Sequence, residues 1–192
     1  GINILTKNNI EYYFQNALMK LDEIESKDDY KIILRDYFNK KVYKCAIGKS
    51  GLLKNKREGD GTTPIGTFSI REIFYRADRI AKPKSRISVS SLPPNDAWSD
   101  DPENINYNKK VMLPHNGRTE RLWRKDHVYD IIVVIGYNDK PPIKLLGSAI
   151  FLHITKNNYE KTEGCIAVEY SDLIEIISNM PENCFITISP EI

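Results

Sequence analysis

Phe151-Leu-His-Ile-Thr-Lys-Asn-Asn-Tyr-Glu-Lys-Thr-Glu-Gly-Cys-Ile-Ala-Val168 joins one apolar, strand-like run to another through a polar loop. The first run, 148–154, carries His153 near its end, and the second opens behind Gly164-Cys165. A thiol is a useful nucleophile only as thiolate, and a nearby imidazole is the usual means of forming one near neutral pH. A glycine before the cysteine lets the backbone turn sharply and offer N–H groups to a developing oxyanion. A histidine and a cysteine twelve residues apart are also common as unrelated core and loop residues, so the pair by itself does not decide for catalysis.

The rest of the chain is that of an ordinary globular domain. Its 192 residues suffice for one well-buried core, with 41% hydrophobic and 28% charged residues. A formal charge of +2 is too small to argue for nucleic acid, and no apolar run reaches the length of a membrane span. No basic segment followed by an apolar one opens the chain at Gly1, so no signal peptide is expected in it. Three cysteines, an odd number, leave at least one thiol free. Cys45 and Cys184 stand in strand-like apolar runs and read as small buried hydrophobes.

Along the chain, Ile10, Phe14, Leu18, Leu21 and Ile24 fall at helical spacing and predict an amphipathic helix over 8–24. That divides the chain into an N-terminal helical extension, 1–29, and a main domain, 30–192. Residues 31–38 and 41–47 read as a hairpin turning at Asn39-Lys40, and 67–75 as a further strand. Residues 77–127, rich in proline and aromatics, read equally as binding loops or as a wrap over a sheet face. Residues 128–137 form the most apolar strand candidate. Ser171 is placed to cap a helix with Leu173, Ile176, Ile177 and Met180 on one face, its N-terminus turned toward the cysteine, and 184–188 closes as a strand. The balance is mainly β, with one or two packed helices.

Other chemistry is poorly supported. Gly48-Lys49-Ser50 lacks the glycine a phosphate-binding loop needs five residues earlier, where Tyr43 stands. His115, His127 and His153 are scattered, and no dinucleotide fingerprint follows a strand, so neither metal nor cofactor is expected. Arg76, Arg79 and Arg124 are candidates to hold carboxylates of an anionic substrate.

At His153 and Cys165 the chain resembles the L,D-transpeptidase (YkuD-type) catalytic domain family, in its compact bacterial branch. The family's strand histidine, loop and Ser/Thr-x-Gly-Cys stand here as Phe151-Leu-His153 and Thr162-Glu-Gly-Cys165. Upstream, Asp60-Gly-Thr-Thr-Pro-Ile-Gly-Thr-Phe68 resembles the family's Asp-Gly-x-Thr-Pro-x-Gly-x-Phe segment, and the likeness spans roughly 30–188.

The resemblance implies a curved β-sandwich of mixed sheets and a role in building the bacterial cell wall and cell shape. Its substrates would be peptidoglycan stem peptides, met by a monomeric enzyme in the periplasm or elsewhere outside the cytoplasm. It implies Cys165 as nucleophile, His153 as general base oriented by the Ile154 carbonyl, and an oxyanion hole at the Gly164 and Cys165 amides. Thr162, Arg124, His127 and Arg76 are the candidates for binding substrate. Glu163 departs from the histidine or lysine of many members, and its side chain is expected to point outward. Ala167 departs from their arginine or asparagine, a task left to Arg124 or His127. A hydrolase of the same fold and a non-catalytic wall-binding module are the competing readings.

Overall fold

Ile131-Ile-Val-Val-Ile135 is a run of five β-branched residues with no polar side, and all five are buried. A strand of that composition is stable only where both faces are covered. The structure, a computed structural model, shows the two coverings; it describes residues 41–189 and the backbones of Ala17–Ile24 and Lys31–Asp36. Ile131, Val133 and Ile135 enter one core cluster, and Ile132 and Val134 enter a second on the opposite face. Phe151–Ile154 alternates likewise, with Leu152 and Ile154 in the first cluster and Phe151 in the second.

In chain order the strands are β1 (Ala17–Ile24), β2 (Lys31–Asp36), β3 (Lys41–Lys44), β4 (Leu52–Leu53), β5 (Thr63–Pro64), β6 (Gly66–Tyr75) and β7 (Val89–Ser91). There follow β8 (Asp96–Ser99), β9 (Lys110–Met112), β10 (Thr119–Arg121), β11 (Ile131–Ile135), β12 (Phe151–Ile154) and β13 (Ile166–Val168). The helix α1 (Tyr170–Asn179) and β14 (Phe185–Ile188) complete the fold. Among the described residues, β13-β12-β11-β6-β14-β1-β2-β3 form one mixed sheet, with β7 also paired to β6. The long β6 serves both layers of a sandwich, pairing β14 through Gly66–Ser69 and β11 through Ile70–Tyr75.

The two ends of the sheet meet. Beyond β3, Ala46 exchanges both backbone hydrogen bonds with Ala167 of β13, at 2.8 and 2.9 Å. Edge groups that would otherwise face water are thereby paired. Leu173, Ile176 and Ile177 of α1 are fully buried in the first cluster, as an i, i+3, i+4 stripe requires. The second cluster lies under the small sheet β10-β8-β9, which residues 77–127 contribute. That segment is therefore a wrap over one sheet face, and Asp100, Arg118, Glu120 and Arg124 of it also line a cleft.

Two expectations are corrected. Ala17–Ile24 is a strand, parallel to β14 and antiparallel to β2, where a helix was predicted over 8–24; residues 8–16 lie outside the described residues. Ladder pairing on both sides outweighs the weak helical preference of that sequence, and it joins these residues to the main sheet instead of to an extension. The α1 N-cap is Glu169, with no side-chain cap bond, and not Ser171. The turn at Asn39-Lys40 also lies outside the described residues, although β2 and β3 pair antiparallel as the hairpin requires.

Phe151 is fully buried, with edge-to-face contacts to Trp98 at 5.1 Å and Tyr129 at 6.0 Å. Phe151→Ala is expected to cost about 3–5 kcal/mol of stability, measured by urea unfolding.

Candidate active site

Parallel pairing of β12 with β13 sets His153 level with Ala167 and Leu152 level with Ile166. Cys165, one residue before β13, therefore stands beside Phe151, and alternation puts its side chain on the face that carries Ala167. Cys165, His153 and Ala167 all line one cleft of about 510 Å³.

His153 Nδ1 lies 2.9 Å from the Ile154 carbonyl oxygen. A carbonyl can only accept, so Nδ1 carries the proton and Nε2 of the neutral ring keeps its lone pair. Burial lowers the histidine to a pKa of about 4, opposed by the Ile154 hydrogen bond and aided by the Arg124 charge.

The Cys165 sulfur accepts from the Phe151 N–H at 3.4 Å and donates to the Ala149 carbonyl at 3.2 Å. Tyr129 packs in the same cluster and lines the same cleft, with its hydroxyl proton given to Glu120. Burial raises the thiol to a pKa of about 12, and the charge of Glu120 adds to the rise against Lys56. Thiol and imidazole are thus both neutral at rest. Among the described residues the imidazole is not a hydrogen-bond partner of the sulfur.

The turn before the cysteine is tied on every side. Gly164 has φ +145°, and a Cβ there would meet the Thr62 carbonyl oxygen at 2.8 Å. Its N–H donates to Thr162 Oγ1 at 3.1 Å, and Thr162 Oγ1 donates to the Cys165 carbonyl at 2.6 Å. The Gly164 amide, expected to face an oxyanion, is thus already committed to Thr162. The Thr63 hydroxyl accepts from the Gly48 N–H at 2.9 Å and donates to the Gly164 carbonyl at 2.8 Å. Asp60 in turn accepts from Thr62 N–H and Oγ1, Arg57 N–H and Lys56 Nζ. Although burial opposes it, these donors bring the Asp60 carboxyl down to about 2.

The candidate substrate residues divide. Thr162 and Arg124 line the cleft, Arg124 with its fork on Asp126 at 2.8 and 2.6 Å. Arg76 does not: it is buried under Trp123, 3.6 Å from the ring centroid, and bonds Asp78 and the Arg124 carbonyl. Arg79 is likewise spent on Asp130 and on the carbonyls of Arg124, Lys125 and Asp126. His127 is 79% exposed outside the cleft, with Nδ1 2.6 Å from Asp130. Both arginines and the histidine therefore hold the loop that presents Arg124. Glu163 also lines the cleft, with its side chain 78% exposed and paired with Lys49. No residue of α1 lines the cleft, because β13 carries the chain about 10 Å onward before the helix begins.

Sequence reading missed several residues of the cleft. Lys56, only 4% exposed, and Glu58, Arg118, Glu120 and Tyr129 all line it. Glu58 accepts from Tyr107 and Ser148. The Asn108 amide accepts from Trp98 Nε1 and Ala149 N–H and donates to the carbonyls of Tyr137 and Asn138. Only the buried lysine beside Asp60-Gly-Thr carried a sequence signal. The others come from segments that the fold alone brings together. Among the described residues no three His, Cys, Asp or Glu side chains cluster to hold a metal, and no helix is long and apolar enough to cross a membrane.

The family model of the L,D-transpeptidase catalytic domain (YkuD) matches residues 26–188, and the chain belongs to that family. Its function accordingly lies in the family's work on peptidoglycan. No curated protein and no solved structure matches the chain.

Thr63→Val keeps the shape but leaves the Gly48 N–H and the Gly164 carbonyl unpaired. A loss of about 1–3 kcal/mol is expected in chemical denaturation, with Thr63→Ser recovering most of it. For His153, the folded value of about 4 lies below the ordinary 6.5, so the unfolded chain binds more protons between them. Stability should therefore fall by up to about 1.4 kcal/mol per pH unit as pH drops through that window. His153→Gln should remove that share of the slope when the two unfolding curves are compared across pH.

Proposed function

We propose that the chain is a cysteine-dependent peptidoglycan L,D-transpeptidase with Cys165 as nucleophile and His153 as general base. The observation that carries this is the shared cleft of Cys165 and His153, with Nδ1 fixed on the Ile154 carbonyl and Nε2 left free to take a proton. Neutral partners at rest mean that the thiolate forms during attack, when the sulfur leaves the Ala149 carbonyl and passes its proton to Nε2.

The sulfur then adds to the carbonyl carbon between the L-centre and the terminal D-residue of a stem tetrapeptide. With the Gly164 amide engaged by Thr162, the Cys165 N–H is the donor for the oxyanion. The tetrahedral adduct collapses, protonated His153 gives its proton to the departing amine, and a thioester on Cys165 remains. The amine of a second stem, deprotonated by His153, takes the acyl group and restores the thiol. Arg124 and Thr162, both on the cleft wall, are the residues we assign to holding the stem. Such a substrate places the working enzyme outside the cytoplasm.

Incubation with disaccharide-tetrapeptide, followed by mass spectrometry, tests the reading. Cross-linked dimers with loss of the terminal residue are expected, and none with Cys165→Ala. Tripeptide alone would make the protein an L,D-carboxypeptidase. Untouched substrate with both proteins would remove the catalytic reading.

A further inference from the structure

Glu120 is a charged group of the cleft that works against the proposed chemistry. Its carboxylate comes from β10, where it stands level with Trp98 of β8, and it lines the same cleft as Cys165. Tyr129, just before β11, lies between the two. Its hydroxyl donates to Glu120 Oε1 at 2.5 Å, its side chain shares a core cluster and the cleft with Cys165, and its ring meets His153 edge-to-face at 5.2 Å. Three segments distant in sequence thus build a row running from carboxylate to phenol to thiol.

We propose that Glu120, Tyr129 and Cys165 act as a unit that holds one negative charge, so that ionised Glu120 keeps the thiol protonated and neutralised Glu120 releases it. The inference rests on Cys165 being the nucleophile but not on which acceptor takes the acyl group. Its physical basis is that a phenol has a single proton. While that proton goes to the Glu120 carboxylate, Tyr129 offers the sulfur only lone pairs, which suit S–H and repel S⁻. Once Glu120 is protonated, its O–H can donate to the Tyr129 oxygen, and the phenol proton turns to the sulfur. The thiol proton still leaves to His153, and the proton that neutralises Glu120 is taken up from solvent.

The surroundings put Glu120 in reach of such a change. Burial raises its carboxyl, opposed by the Tyr129 hydrogen bond and the Arg124 charge, with Asp100 and Glu58 adding to the rise. Glu120 and Lys56 act on the thiol with opposite sign, and burial keeps the Tyr129 hydroxyl protonated throughout. In this arrangement Tyr129 is a catalytic residue, because it touches the reacting sulfur. Glu120 is a positioning residue that acts through it.

Iodoacetamide alkylation of Cys165 in the full chain, followed by peptide mass spectrometry from about pH 5 to about pH 10, reads the thiolate directly. Glu120→Gln keeps the shape and can donate to Tyr129, so its midpoint should fall by about one unit or more, giving roughly tenfold faster alkylation at neutral pH. Tyr129→Phe alone should not slow alkylation, because in the wild type the phenol proton goes to Glu120, whereas added to Glu120→Gln it should remove most of the gain. A Glu120→Gln midpoint at or above that of wild type would overturn the proposal, as would a double variant that keeps the whole gain. Should Glu120→Gln fail to fold, Glu120→Asp, which withdraws the carboxylate by one methylene, must give a midpoint below wild type, and an unchanged one overturns the coupling. Alkylation needs no stem peptide. Loss of transpeptidation with a normal shift would therefore strike the function alone, and the reverse would strike the coupling alone.

Discussion

The Thr63 hydroxyl reinforces the junction where the segment after β3 meets the turn before Cys165, which backbone bonds from Ala46 to Ala167 and from Lys49 to Thr162 also hold. It takes the Gly48 N–H and gives its proton to the Gly164 carbonyl, so one buried oxygen satisfies two backbone groups more than a hundred residues apart. Thr162 and Asp60 extend the same device on either side, each filling several donors or acceptors of its neighbours. The Gly164 backbone, in a region that glycine alone enters freely, is held by this scaffold. What the scaffold fixes is the direction in which Cys165 leaves the turn.

The electrostatics of the cleft follow from burial. A thiol raised to about 12 and an imidazole lowered to about 4 both sit in their uncharged forms. An ion pair at rest would have to be solvated by a largely apolar floor made of Phe151, Trp98 and Leu122. Neutral partners avoid that cost until substrate supplies new polar contacts. The protein thus keeps its most reactive group quiet through desolvation, and the polar atoms around the sulfur set how much desolvation must be overcome.

The irregular segment between β6 and β11 is what makes this floor possible. Asn108 spends every polar atom of its amide on Trp98, Ala149, Tyr137 and Asn138, which binds the small sheet to the strand that carries His153. Arg76 and Arg79, which look like substrate ligands in a list of charges, instead fill the carbonyls of the 124–126 loop. Their value is geometric: a buried guanidinium can satisfy several orphan carbonyls at once.

The local pattern of the chain was enough for the β class, for α1, for the strands that hold His153 and for the Gly164-Cys165 turn. Each of these rests on short-range information: β-branched runs, an i, i+3, i+4 stripe, a glycine where φ is positive. Ala17–Ile24 was not legible, because its helical spacing is weak and two partner strands decide its shape. Nor could sequence separate Arg124, on the cleft wall, from Arg76, beneath it; both are arginines in an irregular loop, and only packing sorts them. Glu120 and Tyr129 became part of the site only when β10 and β11 were brought beside Cys165. The sequence by itself determined which atoms can do chemistry, since that depends on residue type and backbone freedom. Tertiary structure alone decided which charges those atoms feel, since that depends on distance and burial.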